Sequence, residues 1–162
     1  MTAELVAAIA AQEARLVFDG FDADRALGIG LDIRERVAAA GKAVAIDLRL
    51  WDRRLFWFAM PGTTPDNEDW VRRKVNAVRR FQKSTFRLGL EKGGRLLPPE
   101  AGPEAVADCV LAGGGFPLKI RGVGCVGAVT VSGLPQREDH EVVVAALAAA
   151  LGVPAAEVAL PG

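Results

Sequence analysis

A basic stretch with one lysine on its apolar side is the first feature that could carry chemistry. From Trp70 to Arg87 the chain carries no acid. At about 100° per helical residue, Lys74 falls about 60° from Val71, inside the apolar stripe that also contains Val78. A lysine there must reach solvent, pair with an acid or bind an anion. The basic residues of the stretch are Arg72, Arg73, Lys74, Arg79, Arg80, Lys83 and Arg87.

Two interpretations of this stretch are open. A dense positive field in a chain without net charge favours an anionic ligand. Charged stretches are, however, more often solvated helix faces that pair with acids from elsewhere, and this is the favoured interpretation of the arginines. For Lys74 the two interpretations are evenly matched.

A triple glycine is the second feature. GGGFP spans Gly113 to Pro117 and leads into an apolar segment. Glycines at the entrance of a strand allow a ligand or another backbone to come close, although a simple turn would also explain them.

The only histidine, His140, is the third feature. It aligns with Val143, Val144 and Leu147 on the inward stripe of the last predicted helix. The positive end of that helix disfavours protonation, so a neutral imidazole could ligate iron or act as a base. A hydrogen-bonded core histidine is the favoured alternative. A single histidine also argues against a zinc site, and no metal site is predicted.

GVGCVG, from Gly122 to Gly127, matches the spacing of a dinucleotide-binding loop. Such a loop needs a helix that begins on the glycines, because the helix N-terminus supplies the amide donors. Here the next residues, AVTVS, are small and β-branched, and the next helical pattern begins near Gln136. The segment is therefore predicted to be a β-hairpin with its turn at Gly122–Gly124.

No strong signature of an enzyme accompanies these features. Ser132 lacks the G-x-S-x-G frame, and Cys125 with His140 gives no visible nucleophile–base pair. Whether the chain is an enzyme is left open.

The elements that must position these residues follow from hydrophobic periodicity. Paired strands with helices between them predict an α/β (α+β) fold with a central, mainly antiparallel sheet flanked by helices. The predicted order is helix, helix, strand, strand, helix, strand, strand, helix, with a short extra helix possible at 106–115. Asn67 is predicted to cap the third helix. The main segments are helices 2–16, 23–41, 68–90 and 136–151, and strands 42–50, 53–60, 116–124 and 125–133.

Composition limits the class of protein. The chain has 162 residues, about one domain, and the single domain is predicted to span 1–162. Twenty basic and twenty acidic residues favour neither nucleic acid nor an anionic membrane as partner. The N-terminus lacks a basic region typical of a signal peptide, and no apolar stretch is long enough to span a bilayer. We therefore expect a cytoplasmic protein.

Two quoted segments together resemble a known family. GTTPDNEDWVRRKVNAVRRFQKST, followed by GGGFPLKI and VGAVTVSGLPQREDH, resembles the haem-degrading-domain (HbpS-like) superfamily. Within it the chain resembles an uncharacterised branch of small single-domain proteins with the signature D-N-x-x-W-x-x-R-K. The similarity extends from about Glu13 to Leu151. The matching positions are Asp66, Asn67, Trp70, Arg73, Lys74, Gly114, Gly115, Pro117, Ser132, Gly133, Asp139 and His140.

The resemblance implies an antiparallel α/β domain that forms a symmetric homo-oligomer, at least a dimer. Because relatives include haem-binding and haem-degrading proteins, it also implies haem as a possible cofactor. Function varies among proteins of one fold, so the ligand does not follow from the family.

Two functions compete on these grounds. The first is binding of a small anionic ligand, haem or another tetrapyrrole among the candidates, by a homo-oligomer. The second is a non-catalytic scaffold in which the apolar strand Leu55–Met60 and the alanine-rich last helix pack between subunits. The residues expected to bind the ligand are Asn67, Trp70, Arg73, Lys74, Gly114, Gly115, Phe116, Ser132 and His140.

Overall fold

The computed structural model describes all residues from Met1 to Gly162. It contains six α-helices, one four-stranded sheet and two short 3-10 turns, so the predicted α+β class is confirmed. The predicted element order is also confirmed, with additional short helices between the two strand pairs. The elements are α1 Thr2–Arg15, α2 Ala23–Ala39, β1 Ala45–Leu50, β2 Arg53–Ala59, α3 Pro65–Phe81, α4 Thr85–Lys92, α5 Pro103–Asp108, β3 Gly115–Ile120, β4 Gly124–Ser132 and α6 Gln136–Leu151.

The sheet separates two layers of helices. Its strand order is β2-β1-β4-β3, and every neighbouring pair is antiparallel. Successive side chains of β1 point to opposite faces of the sheet, and helices cover both faces. Ile46 and Leu48 join the main core, which α2 and α6 cover, whereas Ala45 joins a small cluster with Val71 and Val75 of α3.

The GVGCVG segment is a β-hairpin, as predicted. The turn lies at Gly122–Gly124, where φ is 75° and 114°, in the region that glycine adopts without steric cost. Gly127 pairs with Leu50 of β1, and a Cβ there would lie 1.9 Å from the carbonyl oxygen of Arg49. These glycines therefore serve strand pairing.

The predicted third helix is wrong in its bounds. It begins earlier, at Pro65, and ends at Phe81, after which Gln82 adopts a left-handed conformation with φ 58°. Ser84 then caps the separate helix α4 by accepting a hydrogen bond from Arg87 N.

Two smaller predictions also need correction. Asn67 is the third residue of α3 and not its cap; its Oδ1 accepts a hydrogen bond from the backbone N of the capping residue Thr64 at 3.0 Å. The short helix expected at 106–115 is α5 at Pro103–Asp108, because Cys109 is already extended and Gly115 starts β3.

A charged cleft at the start of helix α6

Lys74 of α3 forms the floor of the candidate site. Its residue is only 2% exposed, so the ammonium does not reach bulk solvent. Nζ donates to the carbonyl oxygen of Val131 at 2.9 Å and to Oδ2 of Asp139 at 3.1 Å. Of the three outcomes open to this lysine, the structure shows pairing with an acid.

Burial shifts the pKa of both members of this pair. Burial lowers the pKa of Lys74, because a dehydrated ammonium is disfavoured, and the charge of Asp139 opposes that shift. Burial likewise raises the pKa of Asp139 to about 6, although Lys74 and the backbone amide of Leu134 stabilise its ionised form. The carboxyl therefore titrates close to the physiological range.

The triple glycine makes room for this lysine. Gly114 has φ 129°, and a Cβ there would lie 2.7 Å from Nζ of Lys74 and 2.5 Å from the oxygen of Val131. The Gly115 amide donates to Oγ1 of Thr85 at 2.9 Å. Both glycines are buried, and the close approach that they permit is an approach of Lys74 itself.

Above the pair lies a cleft of about 260 Å³ between the start of α3, the start of α6 and the chain before β3. It brings together Asn67, Trp70, Lys74 and Ser132 among the predicted site residues. The full lining is Asn67, Trp70, Lys74, Arg95, Ala112, Gly113, Ser132, Gly133, Leu134, Pro135, Gln136 and Asp139.

Arg95 is the important residue that the sequence analysis missed. It is exposed at the cleft, close enough to Lys74 for its charge to lower that pKa. Unlike Arg72 and Arg87, which pair with acids, its guanidinium takes part in no ion pair or hydrogen bond. Its only signal in the sequence is that it is the one cation of the irregular segment GGRLLPP.

Five of the nine predicted site residues lie outside the cleft lining, namely Arg73, Gly114, Gly115, Phe116 and His140. Arg73 points from α3 toward the end of α5, where its Nε donates to the oxygen of Ala107 at 3.1 Å. Phe116 belongs to the main core, with its ring centroid 5.8 Å from that of His140. Gly114 and Gly115 lie beneath the lysine and not on the cleft surface.

His140 is a core residue. It is 1% exposed, and its Nε2 lies 2.7 Å from Oε1 of Gln12. Burial lowers its pKa to about 3, so the imidazole is neutral at physiological pH, and Nδ1 has no hydrogen-bond partner. The ring therefore packs between the rings of Phe86 and Phe116 and does not reach the cleft.

The other basic residues of the stretch support the alternative interpretation. Acids pair with Arg72, Lys83 and Arg87, whereas Arg79 and Arg80 are exposed, lie over aromatic rings and keep their charge. The contacts are Arg72 with Asp69 and Asp108, Lys83 with Glu91, Arg87 with Glu13 and Glu91, Arg79 over Trp51, and Arg80 over Phe81.

The fold and the cleft together define a class: an α+β domain with helices on both faces of a β2-β1-β4-β3 antiparallel sheet and a charged cleft where α6 begins. The family model described as "Haem degrading protein HbpS-like" matches residues 21–148. The chain belongs to this HbpS-like family.

Its relatives include UPF0303 proteins. One from Mesorhizobium japonicum is 49% identical over 153 residues, 93% of this chain and 91% of the relative. Another, from Brucella melitensis biotype 2, is 47% identical over 160 residues, 98% of this chain and 94% of the relative.

Solved structures share the fold. The crystal structure of the Ybr137w protein has a TM-score of 0.79 at 30% identity and covers 89% of this chain and 86% of that one. The crystal structure of a PduOC:heme complex has a TM-score of 0.67 at 17% identity and covers 84% of this chain and 98% of that one. None of the helices in this chain is long and apolar enough to cross a membrane.

Haem iron is held by axial ligands from the protein, and the cleft lining can be compared with that requirement. The cleft lining contains no histidine, cysteine, methionine or tyrosine, which are the usual axial ligands. The one nitrogen donor of its floor, Lys74, is paired with Asp139. The cleft of a single chain therefore does not fit a coordinated haem iron.

Proposed function

We propose that this protein binds a small anionic ligand in the cleft, held by the guanidinium of Arg95. The unpaired Arg95 side chain is the observation that carries the proposal. Because Lys74 and Asp139 neutralise each other, Arg95 leaves the cleft lining with one net positive charge.

The backbone amides at the start of α6 and the Asn67 side chain also favour a negatively charged ligand. No side chain caps the start of α6, so the amides of its first turn have no side-chain partner, and the helix dipole favours an anion there. The Asn67 side chain lines the cleft and uses its oxygen to hold Thr64, which leaves its NH₂ group as a donor. Arg95, Asn67 and the helix start therefore supply donors around the cleft.

The size of the cleft limits the ligand. Ligand pockets typically measure about 300–1,000 Å³, and this one, at about 260 Å³, lies just below that range. A short carboxylate or a phosphate fits such a space, whereas a whole tetrapyrrole would extend beyond it.

Arg95→Gln tests the proposal directly. We expect acetate or inorganic phosphate, titrated by NMR, to bind the wild type and to lose about tenfold or more in affinity in the variant, because a hydrogen bond to a charged group contributes about 1.5–3 kcal/mol. Arg79→Gln is the matched control, since Arg79 lies over Trp51 and outside the cleft. Equal losses in both variants, or no binding of either anion, would contradict the proposal.

A tetrapyrrole is the second candidate, supported by membership of the HbpS-like family and by the fold shared with the PduOC:heme complex. Because the cleft of one chain offers no usual axial ligand, a second protomer or another surface would have to supply the ligand of the iron. Titration with haemin should then shift the Soret band away from that of free haemin, and His140→Ala should leave that shift unchanged, because the imidazole is in the core. An unchanged free-haemin spectrum would exclude this candidate.

We further propose that the chain forms a homo-oligomer through the uncovered part of its sheet. Helix α3 packs on β4, β3 and β1, while the aromatic residues of β2 stay half-buried. The last helix contributes less to this surface than the sequence suggested, because Ala146 and Ala148 are buried in the chain's own core.

A further inference from the structure

A second cavity adjoins the cleft. It measures about 270 Å³, and its apolar lining consists of Phe86, Leu90 and Leu111. The rest of the lining is Thr2, the glycines Gly89, Gly93 and Gly94, and the polar side chains of Arg95 and Gln136. Arg95 and Gln136 line both cavities. The two spaces therefore meet at one cation and one amide side chain.

Hydrogen bonds fix the Arg95 backbone and the Gln136 side chain between the two cavities, whereas the Arg95 guanidinium is free. The backbone oxygen of Arg95 accepts a hydrogen bond from Leu111 N at 2.7 Å, and Oε1 of Gln136 accepts one from Gly113 N at 3.2 Å. Neither bond uses the guanidinium of Arg95. An anion held by that guanidinium would have a polar cleft on one side and an apolar cavity on the other.

The floor is continuous beneath both spaces. Leu111 lines the apolar cavity, and the next two residues, Ala112 and Gly113, line the cleft. A ligand that spans both spaces would lie along this segment and pass the side chains of Arg95 and Gln136.

We propose that the ligand is an amphipathic carboxylate whose head group binds Arg95 and whose short alkyl or aryl tail fills the apolar cavity. This inference rests on the proposed function and specifies its ligand class. The tail would lie against Phe86 and Leu90, where burial of each methylene should strengthen binding by about fourfold.

Gly94 offers a way to fill the apolar cavity without disturbing the fold. It lines that cavity, its φ is not positive, and a Cβ there would meet no atom within 4 Å. Gly94→Phe should therefore occupy the tail position. Gly20→Phe is the matched control, because Gly20 has equally open surroundings and is exposed outside both cavities.

The experiment is an NMR titration of the three proteins with acetate, butyrate and hexanoate. For the wild type and Gly20→Phe, affinity should rise about fourfold per methylene. Gly94→Phe should bind acetate like the wild type but show no gain with chain length.

Each result decides between the two proposals. Acetate binding without any gain along the series in the wild type would overturn the amphipathic ligand and keep the anion site. A gain that persists in Gly94→Phe, or loss of acetate binding in that variant, would also overturn it. Failure of the wild type to bind any of the three acids would overturn the carboxylate ligand, and phosphate binding would then show whether the anion site stands.

Discussion

Asp139 holds the buried ammonium of Lys74, and burial also shifts the pKa of its own carboxyl. Its Oδ2 accepts from Lys74 and its Oδ1 from the amide of Leu134, yet its pKa is raised to about 6. The attraction of the Lys74 cation and of the backbone amides of Gly133 and Leu134 therefore fails to offset the loss of hydration, a balance common to buried ion pairs. The pair positions the floor of the cleft at a cost in stability.

This shift predicts an unusual pH dependence of stability. Because the folded pKa of about 6 lies above the ordinary 3.8, the folded state binds the proton more tightly than the unfolded state. The stabilisation is fully present below pH 3.8 and is lost as pH rises through about 6. Urea unfolding of the wild type and of Asp139→Asn between pH 4 and pH 7 measures it.

The free energy of unfolding of the wild type, minus that of the variant, should fall with pH by at most about 1.4 kcal/mol per unit. Other carboxylates titrate in both proteins and cancel in this difference. A difference that rises with pH would mean that attraction to Lys74 outweighs burial.

At this scale the sequence predicts some site residues and not others, for a physical reason. The position of Lys74 follows from helical periodicity, which places it on the buried side next to Val71 and Val78. Arg95 lies in an irregular segment without periodicity, so only the tertiary fold brings it to the cleft. His140 was correctly placed on the inward stripe, but periodicity does not distinguish a core from a cleft.

At the scale of elements, Asn67 links the start of α3 to the cleft. Asn67→Asp separates its two roles, because a carboxylate oxygen can still accept from Thr64 N and a negative charge is favourable in the first turn of a helix. We expect the free energy of unfolding to stay within about 0.5 kcal/mol of wild type or to rise. Anion affinity in the cleft should nevertheless fall, because the new negative charge lines the same cleft as Arg95, where it repels an anion and competes with it for the guanidinium.

Asn67→Ala serves as the comparison for that experiment. It removes the hydrogen bond to Thr64 and should lower the free energy of unfolding by about 1 kcal/mol, the usual value of a helix cap. Anion affinity in Asn67→Asp equal to that of the wild type would place the ligand away from the start of α3.

The break between α3 and α4 shows the limit of local pattern. The apolar periodicity continues through this region without Gly or Pro, so the sequence predicts one helix. The fold ends it because tertiary contacts define α4 separately: Glu13 of α1 accepts from Ser84 N at 2.7 Å and pairs with Arg87 at 2.7 Å. Gln82 adopts the left-handed conformation that joins the two helices.

Gln82→Gly should therefore stabilise the protein. A side chain in the left-handed region costs roughly 1–2 kcal/mol. Glycine avoids this cost, but it loses more backbone entropy on folding, which costs roughly 0.5–1 kcal/mol. We expect a net gain of roughly 0.5–1 kcal/mol in urea unfolding. A lower free energy of unfolding would show that the Gln82 side chain stabilises the connection in some other way.

At the scale of the molecule, the two faces of the sheet are covered unequally. Helices α2 and α6 cover one face across the main core, whereas α3, with Thr85 at the start of α4, packs on the other. On that second face, Trp51 and Trp57 are half-buried at the margin of the cluster formed by Ala45, Val71 and Val75. Aromatic side chains that the chain itself leaves partly exposed are typical of the core of a protein–protein interface.

Assembly through this face predicts a change of mass on substitution. Light scattering should give at least twice the 17.1 kDa of one chain for the wild type and a smaller assembly for Trp57→Ser. Leu31→Ser is the control, because Leu31 is an apolar residue, 46% exposed, on α2, which covers the opposite face of the sheet. A wild-type mass of one chain would contradict assembly. Loss of assembly in both variants, or in neither, would exclude the Trp57 face as its site, because only a contact at that face distinguishes the two side chains.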